Sequence, residues 1–113
     1  MAPHLTFYGP EGRLPALADS EARCLAFRLE GDGVGPDADG RDDDLFVMLN
    51  SMWQRARFAV PRPRGEPWRR VIDTSLPGDA AILEPGSYAL VEPPPSYWAG
   101  PRSLAVLISA RPR

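Results

Sequence analysis

The sequence predicts an all-β protein, a two-sheet antiparallel β-sandwich of about seven or eight short strands. Three observations carry this expectation. Fourteen Pro and ten Gly among 113 residues cut the chain into pieces too short for long helices. The apolar runs left between them have the length of strands. Two runs, Leu45-Phe46-Val47-Met48-Leu49-Asn50 and Ser103-Leu104-Ala105-Val106-Leu107-Ile108-Ser109, are apolar on both faces when extended, so each calls for cover on two sides. Stacked sheets provide that cover.

In chain order, Leu5-Thr6-Phe7-Tyr8 ends at the turn signal Gly9-Pro10 and reads as a first, edge strand. Residues 11–21 have no period and read as loop, with one helical turn near 16–21. Residues 24–30 alternate, Leu25, Phe27 and Leu29 forming the expected core face and Ala26, Arg28 and Glu30 the wet one. A flexible acidic loop, 31–44, leads to the central strand at 45–50. Residues 51–54 are short enough for a hairpin loop, with 55–60 as the partner strand. The Pro-rich stretch 61–67 cannot continue a ladder. Residues 68–74 form the next strand, 80–83 a short extended piece and 88–91 another strand. Glu92-Pro93-Pro94-Pro95 reads as exposed polyproline, and 103–109 as the last, interior strand. The whole of 1–113 fits one domain.

Composition bounds the function. A hydrophobic content of 43% is that of a globular chain, and a net charge of −2 offers no global field for nucleic acid or an anionic membrane. All thirteen basic residues are Arg, spread along the chain as in a GC-rich coding bias. Arg55, Arg57, Arg62, Arg64, Arg69 and Arg70 form a local basic segment, read as outward strand positions balancing the acidic loop rather than as an RNA surface. One cysteine, Cys24, permits no internal disulfide and fits a reducing compartment. The start, Met1-Ala2-Pro3-His4, lacks a leader pattern, and no run has the roughly 20 apolar residues of a membrane span. A cytoplasmic protein is expected.

Candidate chemistry is sparse. The acidic stretch 37–44 offers oxygen ligands but departs from the EF-hand order, so no metal is expected. His4 is the sole histidine and lies at the chain start, and Cys24 opens an apolar strand, so neither reads as part of a nucleophilic pair. Phosphate loops are absent, and no cofactor is expected. What remains is flat aromatic surface. Trp53, in the predicted hairpin loop, and Tyr97 and Trp98, after the Pro run, are the candidates for stacking on a pyranose, with Trp68 a lesser one.

The strand at 45–50 also carries a family resemblance. Asp43-Asp44-Leu45-Phe46-Val47-Met48-Leu49-Asn50 resembles the "DDLLVLLN" strand of bacterial glycogen debranching enzymes, isoamylase-type members of the α-amylase family of glycoside hydrolases. Other segments agree in order. Residues 5–13 resemble that family's "WY-x-x-DG-x", residues 23–31 its "R-x-LAF-x-L-x-G", and Phe58-Ala59-Val60-Pro61 its "F-x-LP". Residues 68–74 resemble "W-x-x-V-x-DT", and residues 101–107 resemble "x-x-RS-x-AVL". One departure is that the family usually carries a Trp in the loop after the first strand, where this chain reads Leu14-Pro15-Ala16-Leu17-Ala18-Asp19. The resemblance implies a C-terminal β-sandwich that follows the catalytic barrel and packs on it, in enzymes that hydrolyse α-1,6-glucosidic branch points. A barrel needs roughly 250 residues, so no catalytic residue carries over to this chain. A free-standing α-glucan-binding module is the other expectation.

Overall fold

A computed structural model describes residues 4–8, in backbone only, together with 23–31, 43–91 and 96–110. The expectations placed on 9–22, 32–42 and 92–95 lie outside the described residues. Among the described residues there are eight strands: β1 (His4–Tyr8), β2 (Cys24–Glu30), β3 (Asp44–Asn50), β4 (Ala56–Ala59), β5 (Arg69–Asp73), β6 (Ala89–Leu90), β7 (Ser96–Ala99) and β8 (Ser103–Ser109). They form two antiparallel sheets, one of six strands in the order β1-β2-β3-β8-β5-β6 and one pairing β4 with β7. The expected sandwich is present, with β1 at an edge and β3 and β8 in the interior of the large sheet. Gly78–Ala80 is a 3₁₀ turn, and Ile82 then bridges to Ile72, close to the extended piece expected there.

The core lies between the sheets. Phe46, Met48, Ala105 and Leu107 of the large sheet are fully buried against Phe58 and Ala99 of the small one, with Trp68 closing one side. Burying a side chain as large as Phe46, Phe58, Met48 or Leu107 stabilises the fold by about 1.5–3 kcal/mol each. The inner face is polar at both ends. Asn50 pairs with Cys24 and Ser103 at one end, and Asp44 with Ser109 at the other.

Three expectations need correction, and one further stretch gains an assignment. Residues 56–59 do not form a hairpin with β3, because the chain leaves β3 at Asn50 and crosses to the second sheet, where Ala56 and Phe58 face the core. Residues 96–99, read above only as the stretch after the Pro run, form a strand, since β4 needs a partner and β7 supplies it. The two faces of β2 are reversed: Cys24, Ala26 and Glu30 are buried, and Leu25, Phe27 and Leu29 are half-buried on the outer face. Ion pairs, described below, permit Glu30 to face inward. Finally, β3 and β8 are not fully covered on both faces. The small sheet covers one face only, leaving Leu45, Val47, Leu104, Val106 and Ile108 half-buried and Leu49 exposed.

Register gathers those outer residues. Leu25, Leu49 and Leu104 lie in one row across β2, β3 and β8. Phe27, Val47 and Val106 form the next row, extended by Ile72 and by Ile82, which is 67% exposed. Leu29, Leu45 and Ile108 form the third, followed by Arg69 and the exposed Leu90. The result is a continuous apolar face.

Candidate functional site

The site candidates meet where β3 ends. Asn50 is buried, and its amide nitrogen donates to the carbonyls of Gln54 (3.0 Å), Gly100 (2.9 Å) and Ala99 (3.2 Å). Two hydrogens therefore serve three acceptors. Its Oδ1 accepts from the Met52 N–H at 2.9 Å, and the Cys24 thiol lies 3.5 Å away. One side chain thus ties the 51–55 loop to the turn between β7 and β8. The Arg102 N–H adds a bond to the Met52 carbonyl at 3.0 Å. Cys24 is buried beside Met52 at 3.7 Å, and burial pushes its thiol pKa up, which suits a small core residue.

This clamp presents Trp53, which is 80% exposed, with the Arg102 guanidinium 3.8 Å from its ring centroid. Trp98 is 51% exposed on β7 and carries the Arg55 guanidinium at 4.2 Å. Both pairs have cation–π geometry. The expected exposure of Trp53 and Trp98 is therefore what the structure has. Tyr97 and Trp68 are different. Trp68 packs on Phe46 with ring centroids 6.0 Å apart and donates its indole N–H to the Pro61 carbonyl at 2.7 Å. Tyr97, half-buried, donates its hydroxyl to Asp73 Oδ2. Burial first, and the Asp73 hydrogen bond second, push the Tyr97 pKa well above its ordinary value. Asp73 Oδ1 accepts from the Ser75 N–H (3.0 Å) and hydroxyl (2.6 Å), so this buried carboxylate links β5 to β7 across the layers. Gly100 is needed for the close approach here, since a Cβ on it would stand 2.5 Å from Ser75 Cβ.

The turn from β7 to β8 has an unusual backbone. Pro101 suits the first central position of a turn, and in a type II turn the second central position demands positive φ. Arg102 meets that demand at φ 51°. A non-glycine residue pays about 1–2 kcal/mol for that conformation. Beside the turn, Leu49, Ser51, Thr74, Arg102 and Leu104 line an open depression of about 370 Å³. Sequence reasoning found Trp53 by its loop position but missed Arg102. Gly100-Pro101 is a turn signal, but no glycine stands at position 102 to mark the positive φ.

At the opposite end Arg64 closes a charged cluster. It donates through Nε and Nη2 to both Asp44 oxygens (2.8 and 2.7 Å), through Nη2 to the Gly31 carbonyl (2.9 Å), and pairs with Glu30 at 3.0 Å. Glu30 also pairs with Arg28 at 2.9 Å, and Asp44 accepts from the Gly31 N–H at 2.9 Å. The hydrogen bond to Asp44 raises the Arg64 pKa. Asp44, expected in the flexible acidic loop, is instead the buried first residue of β3. The basic segment is likewise drawn into the fold at several points. Arg70 donates to the Ala80 carbonyl (3.3 Å) and Arg69 to the Tyr88 carbonyl (3.5 Å).

Among the described residues no group of three or more His, Cys, Asp or Glu could hold a metal ion. No helix there is long and apolar enough to cross a membrane. The fold and its surfaces thus define an all-β sandwich domain with one apolar sheet face and a tryptophan–arginine edge. The family model for "Isoamylase, C-terminal" matches residues 4–108. This chain belongs to that isoamylase C-terminal family, a non-catalytic domain of glycoside hydrolases. A search of curated proteins gave no match.

Proposed function

We propose that this chain is the non-catalytic accessory domain of an enzyme that hydrolyses the α-1,6-glucosidic branch points of glycogen. It acts by packing on that enzyme's catalytic (β/α) barrel and stabilising it, in the cytoplasm. The observation that carries the reading is the outer face of the large sheet. Leu25, Phe27 and Leu29 of β2, Leu45, Val47 and Leu49 of β3, and Leu104, Val106 and Ile108 of β8 share that face. Soluble monomers rarely leave contiguous apolar surface beyond a few hundred Å² without a partner, and family membership says which partner to look for.

The test is to co-express the chain with an isoamylase-type catalytic domain lacking its own C-terminal domain and to measure complex formation and thermal stability. A stable complex with a raised melting temperature is expected. Two species that migrate separately, with the catalytic domain unchanged, would refute the proposal. That outcome would favour the alternative, a free-standing α-glucan-binding module, which the exposure of Trp53 and Trp98 supports.

A further inference from the structure

We infer that Trp53 and Arg102 form a binding site for an α-glucan chain at the end of the sandwich, beside the apolar face. The choice of glucan over other sugars rests on the family reading above. The site itself rests on independent observations.

The first is the exposure of Trp53. An indole 80% open to water is the most exposed of the large apolar side chains among the described residues, and the fold makes no core use of it. The second is the backbone of Arg102. Glycine would suit a turn position at φ 51°, so an arginine there marks a side chain with a use. The third is what that side chain does. Its guanidinium stacks on Trp53 at 3.8 Å, and among the described residues no carboxylate pairs with it. Its N–H donors thus remain for a ligand.

The ligand must combine a flat face of C–H groups for the indole with closely spaced oxygens for the guanidinium fork. A pyranose ring has both. The site is also held in advance. Asn50 bonds to Gln54, Ala99, Gly100 and Met52, so both the loop bearing Trp53 and the turn bearing Arg102 are fixed before a ligand arrives. Trp98 on β7, under the Arg55 guanidinium at 4.2 Å, is a second exposed indole.

The experiment is a titration of the intact chain with maltoheptaose, read by tryptophan fluorescence in a Trp98→Phe background. There Trp53 is the exposed indole and Trp68 the buried one. Saturable quenching is expected, with a dissociation constant on the order of 0.1–1 mM. Trp53→Ala, read by calorimetry, is expected to weaken binding at least about 10-fold, as loss of a stacking platform does. Arg102→Gly suits the turn and keeps the fold, yet is expected to weaken binding by about 10-fold as well. No saturable change at about 10 mM sugar, or equal affinity in both variants, would overturn the inference. So would inorganic phosphate that binds with the same Arg102 dependence while maltoheptaose does not, since the site would then be one for anions. These readouts leave the sheet face untouched, so failure here and failure of the barrel-packing proposal are separable.

Discussion

Replacing Asn50 with Ala should destabilise the protein far more than the loss of one surface-loop side chain would suggest. Asn50 satisfies the Met52 N–H and the carbonyls of Gln54, Ala99 and Gly100. Gln54 and Gly100 are open enough for water to replace the lost donor, whereas Ala99 is fully buried and Met52 half-buried. The buried Ala99 carbonyl left without a partner costs about 1–3 kcal/mol and the half-buried Met52 N–H about 1 kcal/mol, so a total of about 2–4 kcal/mol is expected. With a urea slope of roughly 2 kcal/mol/M for a domain of this size, the midpoint should fall by about 1–2 M. Far-UV circular dichroism through a urea titration reads it directly. Asn50→Asp sharpens the test. It keeps the shape but points an acceptor at three carbonyls, so at neutral pH it should be worse than Ala, and it should recover as acid protonates the new carboxylate. A midpoint shift below about 0.25 M for Asn50→Ala would refute the idea that this side chain holds the site together.

Two further predictions concern the other polar anchors. Arg64→Met removes the two guanidinium hydrogen bonds to the buried Asp44, and should cost about 2–3 kcal/mol by urea unfolding, the figure being moderated because Arg64 is partly exposed. Adding Asp44→Asn should restore much of that loss, and no recovery in the double variant would count against a charge-driven cost. Tyr97→Phe removes the donor to Asp73 and should cost about 1–3 kcal/mol at pH 7. The folded-state pKa of Tyr97 is raised, so its contribution is fully present below the ordinary tyrosine value of about 10 and is lost as pH rises above it. The stability gap between wild type and Tyr97→Phe should therefore narrow above that pH, and a gap that stays constant would contradict the assignment.

Much of the fold was legible in the sequence because strand length and Pro-Gly punctuation are local signals. Residues 24–30 emerged with the bounds of β2, and residues 103–109 with those of β8. Partner choice was not legible, since nothing near 56–59 announces that its neighbour is 96–99 across 40 residues of chain. Facing failed at β2 for a different reason. Glu30 satisfies its charge through Arg28 and Arg64, so a carboxylate faces inward and the usual rule of apolar-in inverts. The same applies to Asp44, which ion pairing moves from the loop into the strand. At the site, the exposure of Trp53 followed from its position in a short connection. The strain at Arg102 and the five-way role of Asn50 depend on tertiary neighbours and had no local mark.

The role of the apolar face of the six-stranded sheet is tested most directly by a binding measurement. Val47 and Val106 stand side by side at the centre of that face, half-buried and away from the core. Calorimetric titration of the isoamylase-type catalytic domain with the wild-type chain should give a saturable complex. The Val47→Arg/Val106→Arg variant, shown to be folded by an unchanged far-UV spectrum, should lose at least about 100-fold in affinity, because two charges would be buried without partners. Trp53→Ala should bind as wild type does. Equal affinity for the folded double-arginine variant would contradict the account, because the barrel would then be held by some other surface.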